Sequence, residues 1–121
     1  MKHFFSTLLA LAILVGCSSP NKAKPIIKEY LMEQISNPDT YKAGAIEIVD
    51  KGTIDVADTK YWKHIPASGK IDVVILRHEF THENRSDVLT ENAYYFYMSP
   101  SLDVVYYAHF DGGEGPLFTL N

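Results

Sequence analysis

The apolar residues of this chain recur at two different spacings, and the change falls at Asn37-Pro38. Before it, in PIIKEYLMEQIS (Pro25–Ser36), Ile27, Leu31 and Ile35 recur every four residues, with Ile26 and Tyr30 beside them. That spacing gathers them on one face of an α-helix and leaves Lys28, Glu29, Glu33 and Gln34 to the other. Pro25 suits the first turn, where its missing N–H costs nothing. Asn37-Pro38 ends the helix, because the residue before a proline is pushed out of the α region. Asn37-Pro38-Asp39-Thr40 then reads as a turn.

After that turn the period falls to two. Ala43–Val49 alternates weakly, with Ile46 and Ile48 on one side and Glu47 on the other. Lys70–His82 carries β-branched Ile71, Val73, Val74 and Ile75 and reads as a second strand. Ala93–Met98 and Val104–Phe110 make two more, joined by a proline turn through Ser99-Pro100-Ser101-Leu102-Asp103. Lys51–Gly69 has no readable period. Gly52, Pro66 and Gly69 argue against one regular element there, while Tyr61 and Trp62 are large enough to need a packing partner. Asp111–Pro116 is glycine-rich and is expected to be mobile, with Leu117–Leu120 free to dock back. A helix followed by an antiparallel meander predicts an α+β domain, with one N-terminal helix packed on a three- to four-stranded antiparallel sheet.

The N-terminus carries a different kind of signal. Lys2 is the only full charge before residue 22, and an unbroken apolar run extends from Leu8 to Val15. Crossing a bilayer as a helix takes ~20 apolar residues, so this run is too short. A basic start, an apolar core and small residues after it describe a secretory signal peptide. The end of the run, Leu14-Val15-Gly16-Cys17, resembles the lipobox of bacterial lipoproteins. The resemblance implies that the Cys17 thiol is diacylglycerated, that cleavage falls between Gly16 and Cys17, and that the new amine is acylated. It also implies a sorting address. Ser18, rather than Asp, follows the cysteine, and in many Gram-negative bacteria that favours the outer membrane.

Cysteine usage agrees with a lipid. Cys17 is the only cysteine, so no intrachain disulfide is possible. A lone thiol is an oddity in an oxidising compartment, and a thioether to lipid removes it. Several acyl chains, at ~0.8 kcal/mol per buried CH₂, anchor durably where one chain is marginal. The expected organisation is a signal peptide at 1–16, a lipidated polar tether at 17–24, and one small domain at 25–121.

Without residues 1–16 the chain retains 10 basic and 15 acidic residues, a formal charge of −5. An acidic domain without basic runs is a poor match for nucleic acid or anionic headgroups, whose capture needs clustered Lys and Arg. The helix containing Lys28-Glu29-Tyr30-Leu31, followed by Asn37-Pro38-Asp39 and Tyr41 and then aromatic strands, is similar to a group of small bacterial envelope lipoproteins. That similarity implies a fold and no activity.

One motif points to catalysis. Arg77-His78-Glu79-Phe80-Thr81-His82 contains HExxH, the short signature of zinc peptidases. On a helix, residues i and i+4 bring their Cβ atoms within ~6 Å, so His78 and His82 would share a zinc and Glu79 would serve as base. On a strand the same residues lie ~13 Å apart, at ~3.3 Å per residue, with Glu79 on the opposite side. Ile71, Val74, Ile75, His78 and His82 do share a helical face. The β-branched cluster and the missing N-cap favour the strand. The longer pattern of the zincins also fails: Glu83 and Asn84 follow the second histidine, and Arg85 and Val88 stand where the extended form has Gly and His. Glu91, Asp103 and His109 are the candidate third ligands, none with diagnostic spacing.

Two further features invite a functional reading. Tyr94, Tyr95, Phe96, Tyr97, Tyr106 and Tyr107 form either a tyrosine-lined recognition surface or ordinary cross-strand pairs. Asp111-Gly112-Gly113-Glu114 lacks the spaced carboxylates of a calcium loop. No phosphate loop or nucleophile elbow occurs, and no cofactor is implied. The leading expectation is a lipid-anchored, non-enzymatic binding or structural module of the cell envelope. Its partners would be the membrane, through Cys17, and an envelope protein. A zinc metallopeptidase using His78, Glu79 and His82 is the alternative. A further alternative is an inhibitor or immunity-like lipoprotein whose acidic surface caps a basic target.

Overall fold

The computed structural model describes residues 19–121. Cys17 and the signal-peptide expectation therefore lie outside the described residues. The chain is mixed α+β: one α-helix, α1 (Lys24–Met32), and a four-stranded antiparallel sheet in the order β1 (Lys42–Asp55), β2 (Lys70–Glu83), β3 (Leu89–Met98), β4 (Val105–Phe110). Short 3-10 turns stand at Pro20–Ala23, Pro38–Thr40 and Val56–Asp58.

Several boundaries move from their expected places. Pro20–Ala23, which reads as tether, is a 3-10 turn whose Ala23 is fully buried. The helix starts one residue early and stops at Met32 rather than Ser36. Its last turn tightens, with the N–H groups of both Gln34 and Ile35 donating to the Leu31 carbonyl. Asn37 then takes a left-handed backbone (φ 48°), which asparagine tolerates and which turns the chain into Pro38. Its side chain explains the position: Asn37 Nδ2 donates to the Asn84 carbonyl at 2.6 Å, clasping the β2–β3 hairpin. Thr40 completes the clasp, its hydroxyl accepting from the Glu83 N–H at 2.8 Å.

β1 runs 14 residues, twice the expected stretch, straight through Gly52. Its alternation is weak because its register shifts twice, between Ala43 and Ile46 and between Ile48 and Asp50. Each extra residue reverses which side chains face inward. β2 is the central strand. Val73, Val74, Ile75 and Leu76 are all buried, a continuous apolar run that both faces of the sheet require.

Each face has its own core. On one, Val74, Leu76, Phe80 and Phe96 cluster with Ala23, Ile27 and Leu31; Tyr30 meets Phe96 edge-on at 5.7 Å. On the other, Val73, Ile75, Tyr95 and Tyr97 cluster with Ile54 and Trp62. The segment 56–69 supplies Trp62, whereas Tyr61 is exposed and does not pack as expected.

The C-terminal tail departs from expectation at its start and docks back at its end. Asp111 is fastened rather than mobile, its N–H donating to the Ala93 carbonyl at 2.8 Å and its carboxylate accepting from Arg77 Nε at 2.8 Å. The tail then crosses the second face. Leu117 N–H donates to the Tyr97 hydroxyl at 3.0 Å, and Phe118 and Leu120 pack on that core. Asn121 and Thr53 exchange backbone bonds of 2.8 and 3.0 Å along the outer edge of β1. Gly52 permits this approach, since a Cβ there would sit 2.6 Å from the Asn121 carbonyl oxygen.

Candidate functional site

HEFTH lies in β2, so its residues are extended. His78, Phe80 and His82 share the sheet face of Val74 and Leu76, and the Phe80 ring separates the two imidazoles. Phe80 stacks 5.4 Å from His78 and 6.0 Å from His82. A single zinc needs both nitrogens within ~2.1 Å, which an intervening benzyl group prevents. Glu79 points to the other face, exposed, where its carboxylate accepts from Arg77 Nη1 at 2.6 Å.

His78 is fully buried, and both its ring nitrogens are occupied. Nδ1 lies 3.0 Å from the Ala45 carbonyl oxygen, which can only accept, so Nδ1 carries the proton and donates. Nε2, 2.8 Å from the Tyr41 hydroxyl, then accepts. Burial pushes the imidazole pKa below its ordinary value; the Ala45 bond opposes that shift, and Lys24 adds to it. The ring is a neutral structural bridge. Its acceptor is significant, because Gly44 and Ala45 together oppose the single residue Glu79 at the first bulge of β1. Bulging leaves ladder groups unpaired, and His78 takes up one of them. Gly44 is suited to the same bulge, since a Cβ there would lie 2.7 Å from the Glu79 carbonyl oxygen.

His82 is half-buried, with Nδ1 3.0 Å from the Glu83 carbonyl oxygen. The candidate third ligands are scattered. Glu91 pairs with Thr81 across β2 and β3. Asp103 is held in the β3–β4 turn by the hydroxyls of Ser99 and Ser101 at 2.9 and 2.6 Å, which hold its carboxyl below the usual range. His109 Nε2 lies 2.9 Å from the Tyr97 hydroxyl on the opposite face from His78. Among the described residues no group of three His, Cys, Asp or Glu side chains is placed to hold a metal. The Asp111–Glu114 loop is committed elsewhere: Asp111 accepts from Arg77 and from the Gly113 N–H, and both bonds lower its pKa.

The tyrosines divide between the faces. Tyr94 and Phe96 belong to the side of Val74 and Leu76, and Tyr95 and Tyr97 are buried on the other. There Trp62 stacks nearly parallel to Tyr106 and Tyr107, at 6.0 and 6.3 Å. Phe118 meets Trp62 and Tyr97 edge-on at 5.1 and 5.3 Å. These rings pair with one another and with the tail; they do not form an open tyrosine surface.

Away from Trp62, residues Gly44, Arg77, Glu79, Thr81, Glu91 and Asp111 line a shallow groove of about 530 Å³. Arg77 lies at its centre, bridging Glu79 and Asp111, which together raise its pKa further. Sequence reading missed this groove and missed Tyr41 as the partner of His78. Only the alternation of Arg77, Glu79 and Thr81 along β2 hinted at a polar half-face. Compared with protein-family models, with curated proteins and with solved structures, the chain matches none of them.

Proposed function

We propose that this chain is a lipoprotein of the bacterial cell envelope, a non-enzymatic binding or structural module held to the outer membrane by acyl chains on Cys17. The observation that carries the reading is the order of Lys2, the Leu8–Val15 run and Leu14-Val15-Gly16-Cys17. A single cysteine at the end of that run agrees with it.

The domain's geometry supports a binding role over a hydrolytic one. His78 spends both nitrogens on Tyr41 and Ala45, and Glu79 faces away from it into an ion pair. The helix is read as laid across one sheet face, a placement supported by the full burial of Ile27 and Leu31 with Leu76 and Phe96. On the opposite face, the part that Trp62 and Phe118 do not cover, the groove around Arg77, is the surface for a polar partner.

Replacing Cys17 with Ala tests the anchor. Metabolic labelling with palmitate and processing of the precursor should both be lost. A Cys17→Ala chain that still incorporates palmitate and still sediments with membranes would refute the proposal.

A further inference from the structure

We propose that Leu117–Asn121 is a strap seated on a peptide-binding site. The same seat takes an extended, uncharged segment of a partner protein, with an aromatic residue followed two positions on by an aliphatic one. The site lies on the Trp62 side of the sheet, apart from the groove around Arg77, and does not depend on a lipid at Cys17.

The strap is bound as a peptide ligand would be. Leu117 and Thr119 are exposed, whereas Phe118 and Leu120 pack on the core beneath. That period of two belongs to extended backbone. The main chain is held at both ends. Leu117 N–H donates to the Tyr97 hydroxyl at 3.0 Å, and Asn121 exchanges its paired bonds with Thr53 of β1. Phe118 is the anchor, meeting Trp62, Tyr97 and Tyr107 edge-on at 5.1, 5.3 and 5.8 Å. Main-chain bonds to a strand edge, with alternate side chains in pockets, are how sheets capture peptides. Gly52 is fitted to this use. Glycine weakens a strand interior, and here its missing Cβ leaves room for the Asn121 carbonyl oxygen and Leu120, which a Cβ would approach to 2.6 and 2.9 Å.

Two features make the occupant exchangeable. The strap hangs from Asp111 by a loosely packed hinge. A Cβ added at Gly112, Gly113 or Gly115 would meet nothing within 4 Å, and Gly113 and Gly115 take φ of 95° and 85°. The strap's own anchors, Phe118 and Leu120, are only half-buried. Local opening draws on segments of this kind, with few buried contacts. The strap also leaves its seat incompletely satisfied. Trp62 is only 6% exposed, yet its Nε1 has no acceptor among the described residues. A buried donor left unmet is costly, and a partner segment that brings an acceptor to it gains what the strap forgoes. Leu117–Asn121 carries no charge, and neither do the rings of Trp62, Tyr97 and Tyr107 beneath it, so the seat selects an uncharged segment.

A synthetic peptide of residues 115–121 is the probe, used against the full chain. Phe118→Ala removes the anchor in cis and should move Trp62 emission to longer wavelength. Added peptide should return that emission, saturably, to the wild-type wavelength. Anisotropy of a dye-labelled copy should show binding to the wild-type chain at least about tenfold weaker, because the strap competes at an effective concentration on the order of millimolar. The same peptide with alanine in place of its phenylalanine should do neither. If circular dichroism shows that Phe118→Ala does not fold, Leu120→Ala takes its place. No saturable binding to the variant would overturn the proposal, as would equal binding by the alanine peptide. Hydrogen exchange on the wild-type chain gives a second reading. The amides of Leu117 and Asn121 should exchange at least about tenfold faster than those of Ile75 and Leu76, because the strap lifts without unfolding the sheet. Exchange of all four at one rate would show that the strap is inseparable from the fold and would also overturn the proposal.

Discussion

The imidazole of His78 donates to the carbonyl of Ala45 at 3.0 Å, at the point where β1 slips by one residue against β2. A histidine inside a peptidase-like motif thus serves to hold a bulge. Tyr41 holds the ring from its other side.

Buried neutral, His78 should make stability depend on pH. Its folded pKa lies below the unfolded value of ~6.5, so below pH ~6.5 the unfolded chain binds the extra proton. Stability should therefore fall with pH from there, by up to ~1.4 kcal/mol per unit. Asp111, whose pKa is also lowered, contributes stability above the carboxylate range and loses it only at lower pH. His78→Asn keeps a donor near Ala45 and cannot titrate. It should lose the decline beginning near 6.5 and cost ~1–3 kcal/mol at neutral pH through the unpaired Tyr41. Urea midpoints across pH give the comparison, and an unchanged slope in the variant would show that His78 is not the group responsible.

Zinc offers a direct check on HEFTH. With Phe80 between His78 and His82, the chain should take up no stoichiometric zinc on reconstitution, and Glu79→Gln should leave metal content unchanged. Elemental analysis decides the matter. One zinc per chain, lost in both His78→Ala and His82→Ala, would restore the peptidase reading.

Leu31 is fully buried and belongs to the same buried cluster as Leu76 and Phe96. Leu31→Ala should cost ~2–5 kcal/mol. A loss below ~0.5 kcal/mol would mean that this cluster does not carry the core.

Phe118 ties the tail to the second core through edge-on contacts with Trp62, Tyr97 and Tyr107. Phe118→Ala should destabilise by ~2 kcal/mol, below the range for a fully buried ring because it is half-buried. It should also shift the emission of Trp62, the only tryptophan, to longer wavelength. Wild-type emission together with wild-type stability would show that the tail does not seal this core.

Neighbouring residues alone determined much of this protein. Pro25 fits the first turn of the helix, β-branched Ile71, Val73, Val74 and Ile75 commit β2 to extension, and that extension separates His78 from Glu79. Each is a local effect of backbone sterics or of side-chain period, so it can be read from a short window. Other features required the folded chain. β1 looked half its length because two bulges erase the alternation by which strands are recognised. The size of Trp62 called for a packing partner, but which one was not local, because Tyr97, Tyr106, Tyr107 and Phe118 are all distant in sequence. The glycine-rich tail looked loose because what fastens it, Arg77 to Asp111 and Thr53 to Asn121, lies tens of residues away. His78 is the clearest case. Its partners Tyr41 and Ala45 lie 37 and 33 residues earlier, and only the register of β1 on β2 brings them to its two nitrogens.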